Sequence, residues 1–220
     1  VDDPLIVVRA VQFAATLSLA GAAIFTVFIA QPALRLDACA ELRALVGRRL
    51  SLIAWSALAL TLFSGAAWFV LVAQSISEQP LAEVLADGGG LRIILLETDF
   101  GRDWLVRLVL VAVLALLLTA DLRGGQGYRD LRWLATVLAA VGVVGTLAWA
   151  GHGVGGSGIA GSIHLIEDFL HLVAAAAWVA VCCRLLCCSP LHSEPQRCRS
   201  RARQACVFLP AALRPSASSF

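Results

Sequence analysis

Three of the four histidines lie in one 20-residue window. His152 follows Gly151, and His164 and His171 enclose Glu167 and Asp168 within an otherwise apolar run. If that run is helical, at about 100° per residue His164 and His171 differ in direction by only about 20°, and Asp168 stands about 40° from His164. The three form a polar stripe, continued by the small Ala175 and by Trp178. A carboxylate at the centre of a bilayer costs about 2.5–3.5 kcal/mol on insertion scales, so such a group is expected to face the protein interior or a wet cavity. Two imidazoles on one face, with a third brought by a glycine-rich turn, suit a transition metal: copper, zinc, iron or nickel. Asp168 is then a ligand or the group that orients a histidine. The structural alternative places His164 at the headgroup boundary and makes Asp168 and His171 an interhelical hydrogen-bonded pair.

The elements that must hold these residues are membrane helices. Of the 220 residues, 60% are hydrophobic and 15% charged, and the mean hydropathy is +0.84. A soluble domain is about half apolar and about a quarter charged. No Asp, Glu, Lys or Arg falls between Arg9 and Arg35, or between Arg49 and Glu78. Each interval exceeds the roughly 20 apolar residues that cross a hydrocarbon core. The expected fold is an all-α integral membrane bundle of about five transmembrane helices. The spans are about 5–30, 50–73, 104–120, 131–150 and 163–186, in a membrane domain of residues 1–186. In the third, Arg107 is expected to snorkel from the first turn. A cleaved signal peptide is not expected, because Asp2 and Asp3 stand where a basic region should be.

The short connections fix an orientation. Segment 31–49 carries Arg35, Arg43, Arg48 and Arg49, and segment 121–132 carries Arg123, Arg129 and Arg132. Segment 74–104 is mainly acidic, and 151–162 is uncharged. The positive-inside rule gives N-terminus out and C-terminus in, with the histidine turn outside. Within 74–104, Leu81 to Ala86 followed by Gly88, Gly89 and Gly90 predicts a short outer interfacial helix with a glycine stop.

Residues 187–220 are rich in Cys, Arg, Ser and Pro, and the cysteine pairs Cys182-Cys183 and Cys187-Cys188 are adjacent rather than spaced as C-x-x-C. A zinc site fits that pattern poorly, and the tail reads as disordered or out of its natural frame. The glycine turn 151–158 lacks the preceding strand of a phosphate cradle. Gly142, Gly145, Ser64 and Gly65 read as close helix packing. The net charge of +2 gives no argument for nucleic acid.

Around the histidines the chain resembles a known family. His164-Leu165-Ile166-Glu167-Asp168-Phe169-Leu170-His171-Leu172, with Ala174 to Ala177 and Trp178, is similar to a segment of the bacterial copper resistance protein D family. Gly151-His152, the stretch from Thr98 to Leu108 and the opening Arg9 to Ala14 are similar to the same family. The resemblance covers about 1–180, the N-terminal part of a family whose members commonly have eight spans. It implies a non-enzymatic inner-membrane protein of copper homeostasis that moves copper in company with a periplasmic copper-binding partner. The metal residues it implies are His164, His171, Asp168, His152 and Glu167. Since the chain has no Met to supply thioether ligands, a His and carboxylate site favours cupric over cuprous ion. Two other classes fit the residues. One is a haem-binding electron carrier, for which His152 is the sole cross-helix partner of His164 and His171. The other is a structural membrane subunit.

Overall fold

The computed structural model describes residues 3–31, 40–122, 129–149 and 159–188. The glycine turn with His152, the segment 123–128 and the tail 189–220 lie outside the described residues. The first helix, α1, runs over Pro4–Phe25 and begins where the residue types require it: the Asp3 carboxylate accepts the Leu5 N–H at 2.9 Å, and Pro4 occupies the first turn, where its missing N–H costs nothing. A single π-helical turn, Thr26–Ala30, completes this span.

Next comes α2, Ala40–Ser77, which at 38 residues extends well before the expected start at residue 50. It ends at Glu78, whose φ of 55° is left-handed. Two short helices then replace the single interfacial helix of the sequence reading: α3, Leu81–Ala86, and α4, Gly88–Glu97. The three glycines do not stop a helix but open one. Asp87 caps α4 by accepting the Gly90 N–H at 2.9 Å, and a Cβ at Gly90 would collide with that carboxylate. Thr98 is extended and its hydroxyl accepts the Gly101 N–H at 2.9 Å, which starts α5, Asp99–Leu122. The bundle is completed by α6, Arg129–Trp149, and α7, Ile159–Cys188.

The first helix is the hub, packing against α2, α6 and α7, while α5 packs on α6 and α2. Its buried Leu19, Ala20 and Ala23 share one core cluster with Ala57 and Leu58 of α2, Val111 and Leu114 of α5, Ala140, Val143 and Val144 of α6, and Ala176 of α7. Small residues let the backbones approach, which is how helices associate where lipid is as apolar as leucine. At Gly21 a Cβ would stand 2.8 Å from the Ala176 carbonyl oxygen.

Among the described residues, four helical stretches are long and apolar enough to cross a membrane: Pro4–Ala30, Arg43–Ser77, Leu131–Trp149 and Ile159–Cys182. The protein is thus an all-α, multi-span helical bundle. The remaining long helix, α5, has 24 residues but carries Asp99, Arg102, Asp103 and Arg107 in its first turns. Coverage is uneven: 11% of the apolar stretch of α7 is buried, against 44% to 50% in the other three.

Candidate functional site

The expected polar stripe lies on α7, a continuous helix through the whole segment. His164, Glu167, Asp168 and His171 are all exposed, so the stripe faces away from α1 and α6 rather than into the bundle. The physical reason is that α7 spends its packing residues on another side, with Ala176 and Ala180 buried and Phe169 half-buried. Within the stripe His164 Nδ1 lies 3.4 Å from Glu167 Oε2, with side chains 70% and 66% exposed. Among the described residues, no three of His, Cys, Asp and Glu converge as a metal-holding group. His152 lies outside those residues. One chain's described residues therefore bring His164, Asp168 and His171 to one helix face and add no ligand from another helix.

A second polar constellation sits inside the bundle, at the end where α2 finishes, α5 begins and α6 finishes. Its centre is Arg107, which does not snorkel as the sequence reading expects but turns inward and is 3% exposed. Its Nη2 donates to Asp103 Oδ2 at 2.8 Å and to the Thr146 carbonyl oxygen at 2.8 Å, and its Nε donates to Thr146 Oγ1 at 2.8 Å. The guanidinium carbon lies 5.3 Å from the Trp68 ring centroid, and Arg9 reaches the same indole at 5.6 Å. The partners explain most of the burial: a carboxylate one turn away, a hydroxyl and carbonyl from α6, and an aromatic face from α2 take the place of water at Nε and Nη2, while Nη1 is buried with no hydrogen-bond partner among the described residues.

Beside it, Ser64 Oγ donates to Gln12 Oε1 at 2.5 Å, and Gln12 Nε2 donates to Thr16 Oγ1 at 3.4 Å. The Trp104 indole N–H donates to the Gly65 carbonyl at 3.1 Å. Phe13, Trp68, Phe69, Phe100 and Trp104 fill the space around these contacts, with ring centroids 5.0 Å to 6.4 Å apart. The sequence marks Ser64 and Gly65 as packing residues but carries no link from them to Gln12. The signal was present in Asp103 and Arg107, an acid and a base four residues apart at the start of an apolar helix, a spacing that places them side by side. Chemically this network binds helices together. Its fixed guanidinium disfavours a metal cation there, whereas the imidazoles of α7 are metal ligands by type.

Comparison with known proteins gives one finding. The family model described as copper resistance protein D-like, N-terminal domain, matches residues 1–162. The match spans α1 to α6 and the first turn of α7, includes the Arg107 network and His152, and ends just before His164. No curated protein and no solved structure gives a significant match.

Proposed function

The chain belongs to the copper resistance protein D-like family, and from that premise we propose that it moves copper across a bacterial inner membrane as part of copper homeostasis, without enzymatic activity. Copper is the cargo. It is taken up on the periplasmic side by His164 and His171 of α7, with Asp168 as a ligand or as the group that orients an imidazole, and with His152 and Glu167 as the remaining donors.

The observation that carries this reading is the stripe itself: imidazoles at positions 164 and 171 and a carboxylate at 168 on one continuous helix. Ionisable groups within a membrane helix are rare, and they mark ion pathways and binding sites. Nitrogen and oxygen donors, with no thioether in the chain, favour cupric ion. In this reading α5 is a fifth crossing whose Arg107 is held inside by Asp103, Thr146 and Trp68. The arginine-rich segments lie in the cytoplasm, the N-terminus lies in the periplasm, and a periplasmic copper-binding protein delivers or receives the ion.

Flux of radioactive copper into proteoliposomes carrying the purified protein tests this. Copper movement that exceeds empty liposomes and is lost in His164→Ala supports it. Flux equal to empty liposomes, with or without a periplasmic copper carrier, would remove transport from the account.

A further inference from the structure

The stripe on α7 has a period that the bundle of one chain does not use. His164, Asp168, His171, Ala175, Trp178 and Cys182 follow one another at alternating steps of four and three, the seven-residue repeat by which two parallel helices keep one seam in contact. All six lie on α7, and all but the half-buried Ala175 are exposed, Trp178 at 75%. The bundle holds α7 by other residues, Leu172, Val173 and Ala176 in one core cluster and Ala180 in another. His171 stands at the middle of the apolar stretch Ile159–Cys182, a depth at which ionisable groups almost always face protein or a wet cavity.

We propose that a second copy of this chain covers the stripe: the two α7 helices pack in parallel about a two-fold axis along the membrane normal, and copper binds between them to Asp168 and His171 of both copies. This rests on the copper reading of α7. Copies inserted in the same orientation pair about such an axis, which sets each seam residue against its own counterpart at the same depth. With helix axes about 8–10 Å apart and side chains reaching about 5–6 Å from each axis, donors from both copies meet at the midline. Asp168 and His171 are about 4.5 Å apart along the helix, so one ion is within reach of both layers. Within one chain, no three of His, Cys, Asp and Glu converge among the described residues. The pair supplies two imidazoles and two carboxylates, a nitrogen and oxygen set that suits cupric ion.

Charge makes the ion part of the interface. Two Asp168 carboxylates brought to one axis repel each other where water is scarce. A divalent cation between them neutralises both, while neutral imidazoles fill the remaining positions. Metal-free copies therefore separate and copper joins them. One layer further along the seam, Ala175 leaves space beside Trp178, whose exposed indole is of the kind that anchors interfaces.

The test is the mass of the intact, detergent-purified chain by sedimentation, before and after addition of cupric ion. The expected result is a monomer without copper and a dimer with it, at about one ion for every two chains, and an apparent affinity that rises with the protein-to-detergent ratio. His171→Ala should lose both the binding and the change of mass while unfolding as the wild type does. In copper-loaded membranes, with serine for the native cysteines, Ala175→Cys should cross-link between copies on iodine oxidation. Leu170→Cys, also exposed but about 140° round the helix from Ala175, should not. Cross-linking at 170 and not at 175 would overturn the proposal. A chain that saturates with copper as a monomer, one ion each, would overturn it and leave the copper reading standing. A chain that binds no copper at any protein concentration would remove both.

Discussion

Removing Asp103 should be far more damaging than removing Asp103 and Arg107 together. Arg107 is 3% exposed and the carboxylate side chain of Asp103 is 11% exposed, with 2.8 Å between them, so water neither screens the pair nor replaces a missing partner. In Asp103→Ala the guanidinium keeps Thr146 but loses its only counter-charge at hydrogen-bond distance among the described residues. Stranding one half of a buried pair costs about 3–5 kcal/mol. Arg107→Met should cost a similar amount, since it strands the Asp103 carboxylate and removes both donors from Thr146. The double variant Asp103→Leu, Arg107→Met buries no charge and keeps comparable volume, so it should fall within about 1–2 kcal/mol of the wild type. Equilibrium unfolding in mixed detergent micelles, run as a double-mutant cycle, measures the coupling directly. Two single variants that each cost less than about 1 kcal/mol and simply add would refute the claim that this pair is a buried clamp.

Two glycines should respond oppositely to the same methyl group. Gly21→Ala pushes against the Ala176 backbone and should destabilise the α1–α7 contact, whereas Gly47→Ala enters open space on α2 and should stabilise by about 0.5–1 kcal/mol; thermal unfolding of both variants checks this. For the orientation, Glu83→Cys and Arg48→Cys in a background with serine for the native cysteines should label respectively from outside intact cells and only after permeabilisation. The reverse pattern would invert the bundle in the membrane.

Much of this was legible in the residues. Charge-free intervals mark the first two spans because burial in hydrocarbon is a property of composition. Asp3 followed by Pro4 marks the start of α1 because capping is local. Gly145 and Gly65 were readable as close-approach positions, and the structure sets them against Phe169 and Gln12. What failed needed information from elsewhere in the chain. Hydropathy locates lipid depth and not helix ends, so α2 outruns its apolar stretch through Arg43, Arg48 and Arg49. Gly88 to Gly90 resemble a stop until the Asp87 carboxylate is seen to cap the first turn they form. Arg107 turns inward because Thr146, 39 positions later, and Trp68, 39 positions earlier, wait for it. The outward aim of the α7 stripe depends on which face α1 and α6 cover, and periodicity alone defines a face without saying what it meets.

The central claim is that His164 and His171 take up copper. Its most direct measurement is the stoichiometry and affinity of cupric ion on the detergent-purified chain, wild type against the His164→Ala, His171→Ala double variant, with unfolding of the metal-free proteins as a control for packing. The account predicts saturable binding by the wild type, weakened on acidification as protons compete for the imidazole nitrogens, and loss of that binding in a double variant that still folds. Equal copper binding by the two proteins would contradict it and leave the family membership without a metal site on α7.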